Sequence, residues 1–296
     1  MSSARIWLMA ARPRTLPAAV APVLVGTSLA VNSGDLRALA FICALLGATF
    51  IQVGTNLSND YSDARRGADT EDRLGPVRVT AQGLVPPRQV LLATYVSFSL
   101  AVLCGAYLVA VAGPLLLAVG AASILAGVLY TGGPRPYGYE GLGELFVFLF
   151  FGIVAVTGSY FVQRQTLPWE AFALAVPVGL LAAAILLVNN IRDLETDRRA
   201  GKRTLAVRLG RSSARRLYAA MLWAAFAAAL VPFIAGSLSA WLLLTLLAAP
   251  IALPIVRIVQ TRTDGPSLNA ALARTAMLQL AFCVLLSAGV LAGGGS

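Results

Sequence analysis

Histidine is absent from this 296-residue chain. That excludes histidine-based metal sites and the usual Ser–His or Cys–His catalytic pairs. Cysteine is scarce: Cys43, Cys104 and Cys283 stand alone in apolar runs. Their spacing suits neither a metal site nor a disulfide framework, and they read as small buried hydrophobes. Charge is scarce too, at 12% of residues against about 25% in soluble domains. Acidic residues number 13 against 23 basic ones. No secretory leader is visible, because residues 1–14 are too polar for an apolar leader core.

What remains is apolar: 58% hydrophobic residues and a mean hydropathy of +0.78. The chain reads as one all-α, polytopic membrane domain over 1–296. Nine apolar stretches are long enough to propose as bilayer-crossing helices: 16–33, 38–58, 89–110, 113–130, 142–162, 169–190, 216–235, 239–259 and 268–292. The loops between them form a cap on one side. With the N-terminus in the cytoplasm, only Arg37 and Arg164 fall outside; the other 21 of 23 basic residues lie inside. That bias orients the chain with its C-terminus outside. Eleven of the 13 acidic residues share the inner side, although acidic residues hardly influence topology. Something on that face needs carboxylates.

Two stretches concentrate them. Asn189, Asp193 and Asp197 end the sixth span, each four residues apart. On a helix that spacing stacks them on one face, roughly 6 Å apart along the axis. Hard divalent cations seek such oxygens and bridge them to phosphate. The bland alternative is a solvated helix end with local pairs such as Glu195–Arg199. The second stretch, Asn56-Leu-Ser-Asn59-Asp60-Tyr-Ser-Asp63, ends the second span. Shifted by 133 residues, Asn56 meets Asn189, Asp60 meets Asp193, and Arg65-Arg66 meets Arg198-Arg199. Ordinary turn formers would explain either stretch alone. Two polar clusters beside hydrocarbon, each followed by an arginine pair, favour a joint site for a metal-bound diphosphate.

Two further inner loops add candidates. In Arg73-Leu-Gly-Pro-Val-Arg78, Arg73 reads as an anion contact and Arg78 as an ordinary inner-side arginine. The loop from Tyr130 to Glu144 carries Arg135, Tyr137 and Tyr139 among glycines and prolines. Interfacial tyrosines are one reading. An aromatic lid facing a ring or a developing cation is the other.

With these motifs in view, the sequence resembles the UbiA superfamily of intramembrane prenyltransferases. The resemblance rests on Asn59-Asp60-Tyr-Ser-Asp63 after the second span and Asn189…Asp193…Asp197 after the sixth. Ala-Gly-Lys202-Arg-Thr-Leu-Ala continues the latter, and the order and spacing agree over nearly the whole chain. Ala11-Arg-Pro-Arg-Thr-Leu-Pro17 and Tyr130-Thr-Gly-Gly-Pro-Arg-Pro-Tyr-Gly-Tyr139 resemble the menaquinone-pathway members most. Gly67 stands where the family's first motif has a further Asp.

The resemblance implies Mg²⁺, a polyprenyl diphosphate donor and a 1,4-dihydroxy-2-naphthoate acceptor, with carbon dioxide lost and demethylmenaquinone formed. It implies Asn59, Asp60, Asp63, Asn189, Asp193 and Asp197 as metal ligands, the four aspartates being catalytic. Arg65, Arg73, Arg135 and Lys202 would hold the diphosphate. Asn56, Tyr130, Tyr137 and Tyr139 would line the acceptor and prenyl site. The expected setting is the cell membrane, with the site facing the cytoplasm; no nucleic-acid partner is expected. Another aromatic acceptor, 4-hydroxybenzoate or homogentisate, is the alternative within the class. An ion-coupled secondary transporter is the alternative outside it. An Asp193→Asn exchange is expected to remove transfer and leave the melting temperature alone, an interfacial Asp being close to water.

Overall fold

Eleven helices carry the fold. They are α1 (Ser3–Ala11), α2 (Pro17–Asn32), α3 (Ala38–Arg65), α4 (Pro87–Ala112) and α5 (Leu115–Leu129). They continue with α6 (Gly143–Arg164), α7 (Trp169–Arg192), α8 (Leu194–Arg199), α9 (Leu205–Ile234), α10 (Ala240–Thr261) and α11 (Gly265–Ala292). The structure, a computed structural model, describes residues 2–34, 36–68, 74–75 and 77–295, and no strand occurs among them.

Each of the nine expected spans coincides with an apolar helix. The count of full crossings is smaller. Among the described residues seven helices, α3, α4, α6, α7, α9, α10 and α11, are long and apolar enough to cross a membrane. The bent pair of Ser3–Thr15 and α2, meeting at 50°, makes an eighth. α5 has 15 residues, roughly 22 Å of helix against a core of about 30 Å. Its limits are local: Gly113 at φ 99° turns the chain ahead of it, and Pro114 caps it. α9 starts at Leu205 rather than at 216, because Gly210 at φ 75° and ψ 160° lets the chain kink and continue.

α7 is the axis of the bundle. Its central window is 72% buried, more than any other span. It packs against α2, α6, α9 and α11, and its Leu174, Leu181, Leu187 and Ile191 belong to the main core. α6 approaches α7 closely because glycines face each other. A Cβ on Gly152 would lie 2.6 Å from the Gly179 Cα, as in small-residue packing of membrane helices. The same stretch of α6, Phe148–Val154, is π-helical, a local widening frequent at functional sites. Large apolar side chains such as Leu92, Leu103, Leu117 and Leu253 stay exposed on the outer helices. So much apolar surface marks an integral membrane protein.

α3 runs unbroken past its apolar part to Arg65, carrying Asn56, Asn59, Asp60 and Asp63 on one rod. α7 ends at Arg192 and α8 starts at Leu194, with Asp193 between them at φ −90° and ψ 7°. The helical hydrogen bonds nevertheless continue: Asp193 N–H reaches Asn189 O at 3.1 Å, and Asp197 N–H reaches Asp193 O at 2.8 Å. The stacked face expected from the spacing therefore survives the break.

Candidate active site

A cavity of about 710 Å³ lies between the two motif-bearing helices, within the usual range for ligand sites. At one end Asn56, Asn59 and Asp63 of α3 face Asn189, Asp193 and Asp197 of α7–α8. Lys202, Tyr130, Tyr137 and Tyr139 line the same end. Beyond these polar groups the lining is mostly apolar, from Phe146, Phe150 and Val154 on α6 to Ala101 on α4 and Ile124 on α5. Val102 and Leu117, also in the lining, are exposed on the outer surface of the bundle.

Asp63 is the hub of the first wall, at 1% exposure. Arg78 Nη2 donates to its Oδ2 at 2.9 Å, and the Tyr139 hydroxyl donates to its Oδ1. Lys202 Nζ stands 3.8 Å from Oδ1 and 4.7 Å from the Tyr139 ring centroid, within cation–π reach. Gly201 at φ 74° turns the chain after α8. Lys202 N–H then bonds Asp197 O at 2.8 Å, fixing this lysine inside the site.

The second wall is held by Arg192, at 1% exposure. Its Nε donates to Asp193 Oδ1 at 2.8 Å, and its Nη2 pairs with Asp193 Oδ2. Nη2 also reaches Asn189 Oδ1 at 2.9 Å, and Nη1 reaches Asn269 Oδ1 on α11 at 2.7 Å. Beside them Asn190, which also lines the cavity, donates from Nδ2 to the buried Glu144 Oε1 at 2.9 Å. The local helix-end reading holds only outside the cavity, where exposed Arg198 pairs with Glu195 at 2.9 Å. Such a pair is worth about 0–1 kcal/mol.

The aromatic loop docks rather than floats. Tyr137 stacks on Phe146 at 4.1 Å and meets Tyr130 edge-on at 5.5 Å, while its hydroxyl donates to Ala126 O at 2.8 Å. Burial pushes the Tyr137 phenol above the ordinary tyrosine range. Arg203 N–H bonds Tyr139 O at 2.8 Å, tying the loop to the turn after α8.

Several expected residues lie elsewhere. Asp60 does not line the cavity; its carboxylate accepts Val79 N–H at 3.1 Å and Thr80 N–H at 2.9 Å. Asp60 lies about 100° around the axis from Asn59, and although it follows Asn56 by one helical turn, the 79–80 backbone stands over it. Arg65 and Arg135 are exposed and outside the lining; Arg65 bonds Tyr61 at 3.1 Å. Arg73 lies outside the described residues. The arginines that do line the cavity are Arg78, expected to be ordinary, and Arg12. Asn56 lines the cavity and also anchors the turn bearing Arg12, donating to Ala11 O at 2.9 Å and Thr15 Oγ1 at 3.1 Å. Thr131, missed in the sequence, donates to Asn59 Oδ1 at 2.9 Å.

Among the described residues the lining thus holds Arg12, Arg78 and Lys202 against Asp63, Asp193 and Asp197, three cations to three anions. An entering diphosphate adds negative charge that requires added cations. The donors are all oxygens, the preference of Mg²⁺. Among the described residues no three carboxylates converge on one point. That also fits Mg²⁺, which commonly uses one or two carboxylates together with substrate phosphates and water.

Walls of cations and carboxylates at one end of an apolar cavity, inside a helical bundle with these two motifs, define a membrane prenyltransferase. The chain belongs to the UbiA prenyltransferase family, which matches residues 19–286. It is 42% identical over 294 residues to the 1,4-dihydroxy-2-naphthoate octaprenyltransferase of Mycobacterium tuberculosis, covering 99% of both chains. The Escherichia coli protein of the same name is 40% identical over 281 residues, covering 93% of this chain and 91% of that one. A UbiA homolog from Archaeoglobus fulgidus bound to DMAPP and Mg²⁺ shares the fold, with a TM-score of 0.70 at 17% identity, covering 97% of this chain and 99% of that chain. The apo UbiA homolog from Aeropyrum pernix also gives 0.70 at 17% identity, covering 94% and 97%.

Proposed function

We propose that this protein transfers a polyprenyl group from polyprenyl diphosphate to 1,4-dihydroxy-2-naphthoate, with loss of carbon dioxide, giving demethylmenaquinol, the hydroquinone that a separate two-electron oxidation converts to demethylmenaquinone. The observation that carries this reading is one cavity with a polar end, where cations and carboxylates stand together, and an apolar arm. The full-length similarity to naphthoate octaprenyltransferases supports the acceptor. The donor's C–O bond breaks and diphosphate leaves; a ring carbon takes the prenyl carbon, and the ring–carboxylate bond breaks, its electron pair staying with the ring as carbon dioxide leaves.

Asn59, Asp63, Asn189, Asp193 and Asp197 would hold Mg²⁺, which when bound neutralises the leaving diphosphate. Arg78 and Lys202 bind its remaining oxygens, as preorganised cations that need little rearrangement. Arg192 fixes the second wall from behind. The prenyl chain lies along Phe146, Phe150 and Val154, whose apolar surfaces exclude water from the allylic carbon. Tyr130, Tyr137 and Tyr139 bound the space for the acceptor ring. Their π faces favour positive charge developing on the donor. The basic asymmetry supports a polar end at the cytoplasmic side of the cell membrane and a C-terminus outside.

The test uses membranes containing the protein, radiolabelled polyprenyl diphosphate, Mg²⁺ and each acceptor in turn. Labelled product is expected with 1,4-dihydroxy-2-naphthoate. Product with 4-hydroxybenzoate or homogentisate instead would reassign the acceptor, and none with any acceptor would overturn the transferase reading.

A further inference from the structure

The motif residue Asp60 is buried at 1% exposure, yet it contributes nothing to the cavity wall. Both of its oxygens are occupied by consecutive backbone N–H groups, those of Val79 and Thr80. The residue immediately before them is Arg78, whose guanidinium enters the cavity and pairs with Asp63. Around this point the chain folds back on itself. Gln82 N–H bonds Arg78 O at 3.1 Å, and Leu84 N–H bonds Val79 O at 2.9 Å. Val79 is fully buried and packs with Leu57, Val85 and Val90. The Asp60 carboxylate is thus a polar clamp on the backbone of a loop that is also held by the Arg78–Asp63 pair, by Asn269 Nδ2 donating to Leu74 O, by apolar packing and by its own turn.

From this geometry we infer that Asp60 is a positioning residue: it holds the 78–80 backbone so that Arg78 reaches the cavity, and it ligates no metal. Asp60 and Asp63 then divide one motif between them. One faces the site, and the other carries the loop that supplies the first one's cation. Asp60 stands about 100° from Asn59 and about 40° from Asn56 around α3, at the edge of the cavity-facing stripe, and there the backbone of Val79 and Thr80 covers it. Two backbone N–H donors on a carboxylate are charge-assisted bonds. An alanine there would leave both N–H groups buried without a partner. The inference rests on the proposed function only where Arg78 is said to bind diphosphate.

Three purified variants test it: Asp60→Ala, Arg78→Ala and the double variant, with Asp60→Asn as a fourth should Asp60→Ala not fold. Amide exchange followed by mass spectrometry requires no turnover. Faster exchange over 77–85 with unchanged exchange over 186–197 is expected in Asp60→Ala or Asp60→Asn. In the transfer assay, Asp60→Ala should raise the donor KM about 10- to 100-fold, the weight of one or two charge-assisted contacts. The Mg²⁺ concentration for half-maximal rate should stay at the wild-type value. Added to Arg78→Ala, the Asp60 exchange should change the KM no further, because both act through one contact. A metal-ligand role gives the opposite set: a raised Mg²⁺ requirement, additive effects with Arg78→Ala, and unchanged exchange over 77–85. Unchanged exchange over 77–85 overturns the inference by itself. A wild-type protein inactive with every donor and acceptor would instead overturn the proposed function, and the exchange result would still decide the role of Asp60.

Discussion

Replacing Asp193 by asparagine is expected to lower both stability and rate, and the stability loss is the sharper test. The sequence places Asp193 near water, so its charge should matter little to the fold. The structure instead sets its side chain, 8% exposed, against that of Arg192 at 0% exposure. Asparagine keeps the size and removes the anion, leaving a buried guanidinium with only the amide oxygens of Asn189 and Asn269 and a new neutral neighbour. Removing one partner of a buried pair costs about 3–5 kcal/mol. The lower end applies, because neutral acceptors remain. At roughly 2–4 °C per kcal/mol, the melting temperature in detergent should fall by at least about 6 °C. Turnover should fall about 100- to 1000-fold, the usual loss for one preorganised electrostatic contact. Differential scanning fluorimetry and the transfer assay on the same preparation measure both. Arg192→Met combined with Asp193→Asn should recover part of the melting temperature and none of the rate, because no uncompensated buried charge remains. An Asp193→Asn protein that melts with the wild type would refute the buried-pair argument; wild-type turnover would remove Asp193 from the site.

Further outcomes follow from the same structure. EDTA should abolish transfer and Mg²⁺ restore it; full activity in chelator would remove the metal from the proposal. A cysteine in place of the exposed Arg135 should be labelled by an impermeant thiol reagent in inside-out vesicles and not from outside the cell, and the reverse would invert the topology. Burial raises the Tyr137 pKa in the folded protein. Its contribution to stability is therefore complete below about pH 10, the unfolded value, and is lost as pH rises through the folded value. Alkaline denaturation should accordingly steepen above about pH 10 in wild type and less so in Tyr137→Phe. Gly152→Leu places its Cβ 2.6 Å from the Gly179 Cα, and should destabilise by about 1–3 kcal/mol or more, read as a lower melting temperature.

The helices were legible because uninterrupted apolar runs identify spans by length alone. The two carboxylate walls were legible because polar groups at the ends of such runs are costly and hence informative. Other features depend on where loops travel. Nothing local distinguishes Arg78 from Arg65 or Arg135: all three sit in basic polar stretches, and the hold of Asp60 on the 79–80 backbone, with the Asp63 carboxylate as partner, sets Arg78 in the cavity. Asn59 and Asp60 look equivalent in a motif, and the helix separates them. Arg192, flanked by the motif's own residues, reads as one more inner-side arginine until α11 supplies Asn269 across from it. The shortness of α5 was hidden because Pro114 and Tyr130 look like ordinary ends of an apolar run.

The apolar arm of the cavity includes Val102 and Leu117, which are also exposed on the outer face of the bundle. The opposite end is walled with charge. In the membrane orientation proposed above the apolar arm meets lipid and the charged end meets the cytoplasm, and the proposed products differ in the same sense. Released diphosphate partitions to water, and the prenylated ring, carrying its long chain, partitions to lipid. Each departure drains into a phase where the other product does not accumulate. Product inhibition by one should then be relieved without displacing the other, and forward flux would be sustained by partition as well as by the bond energies of the reaction.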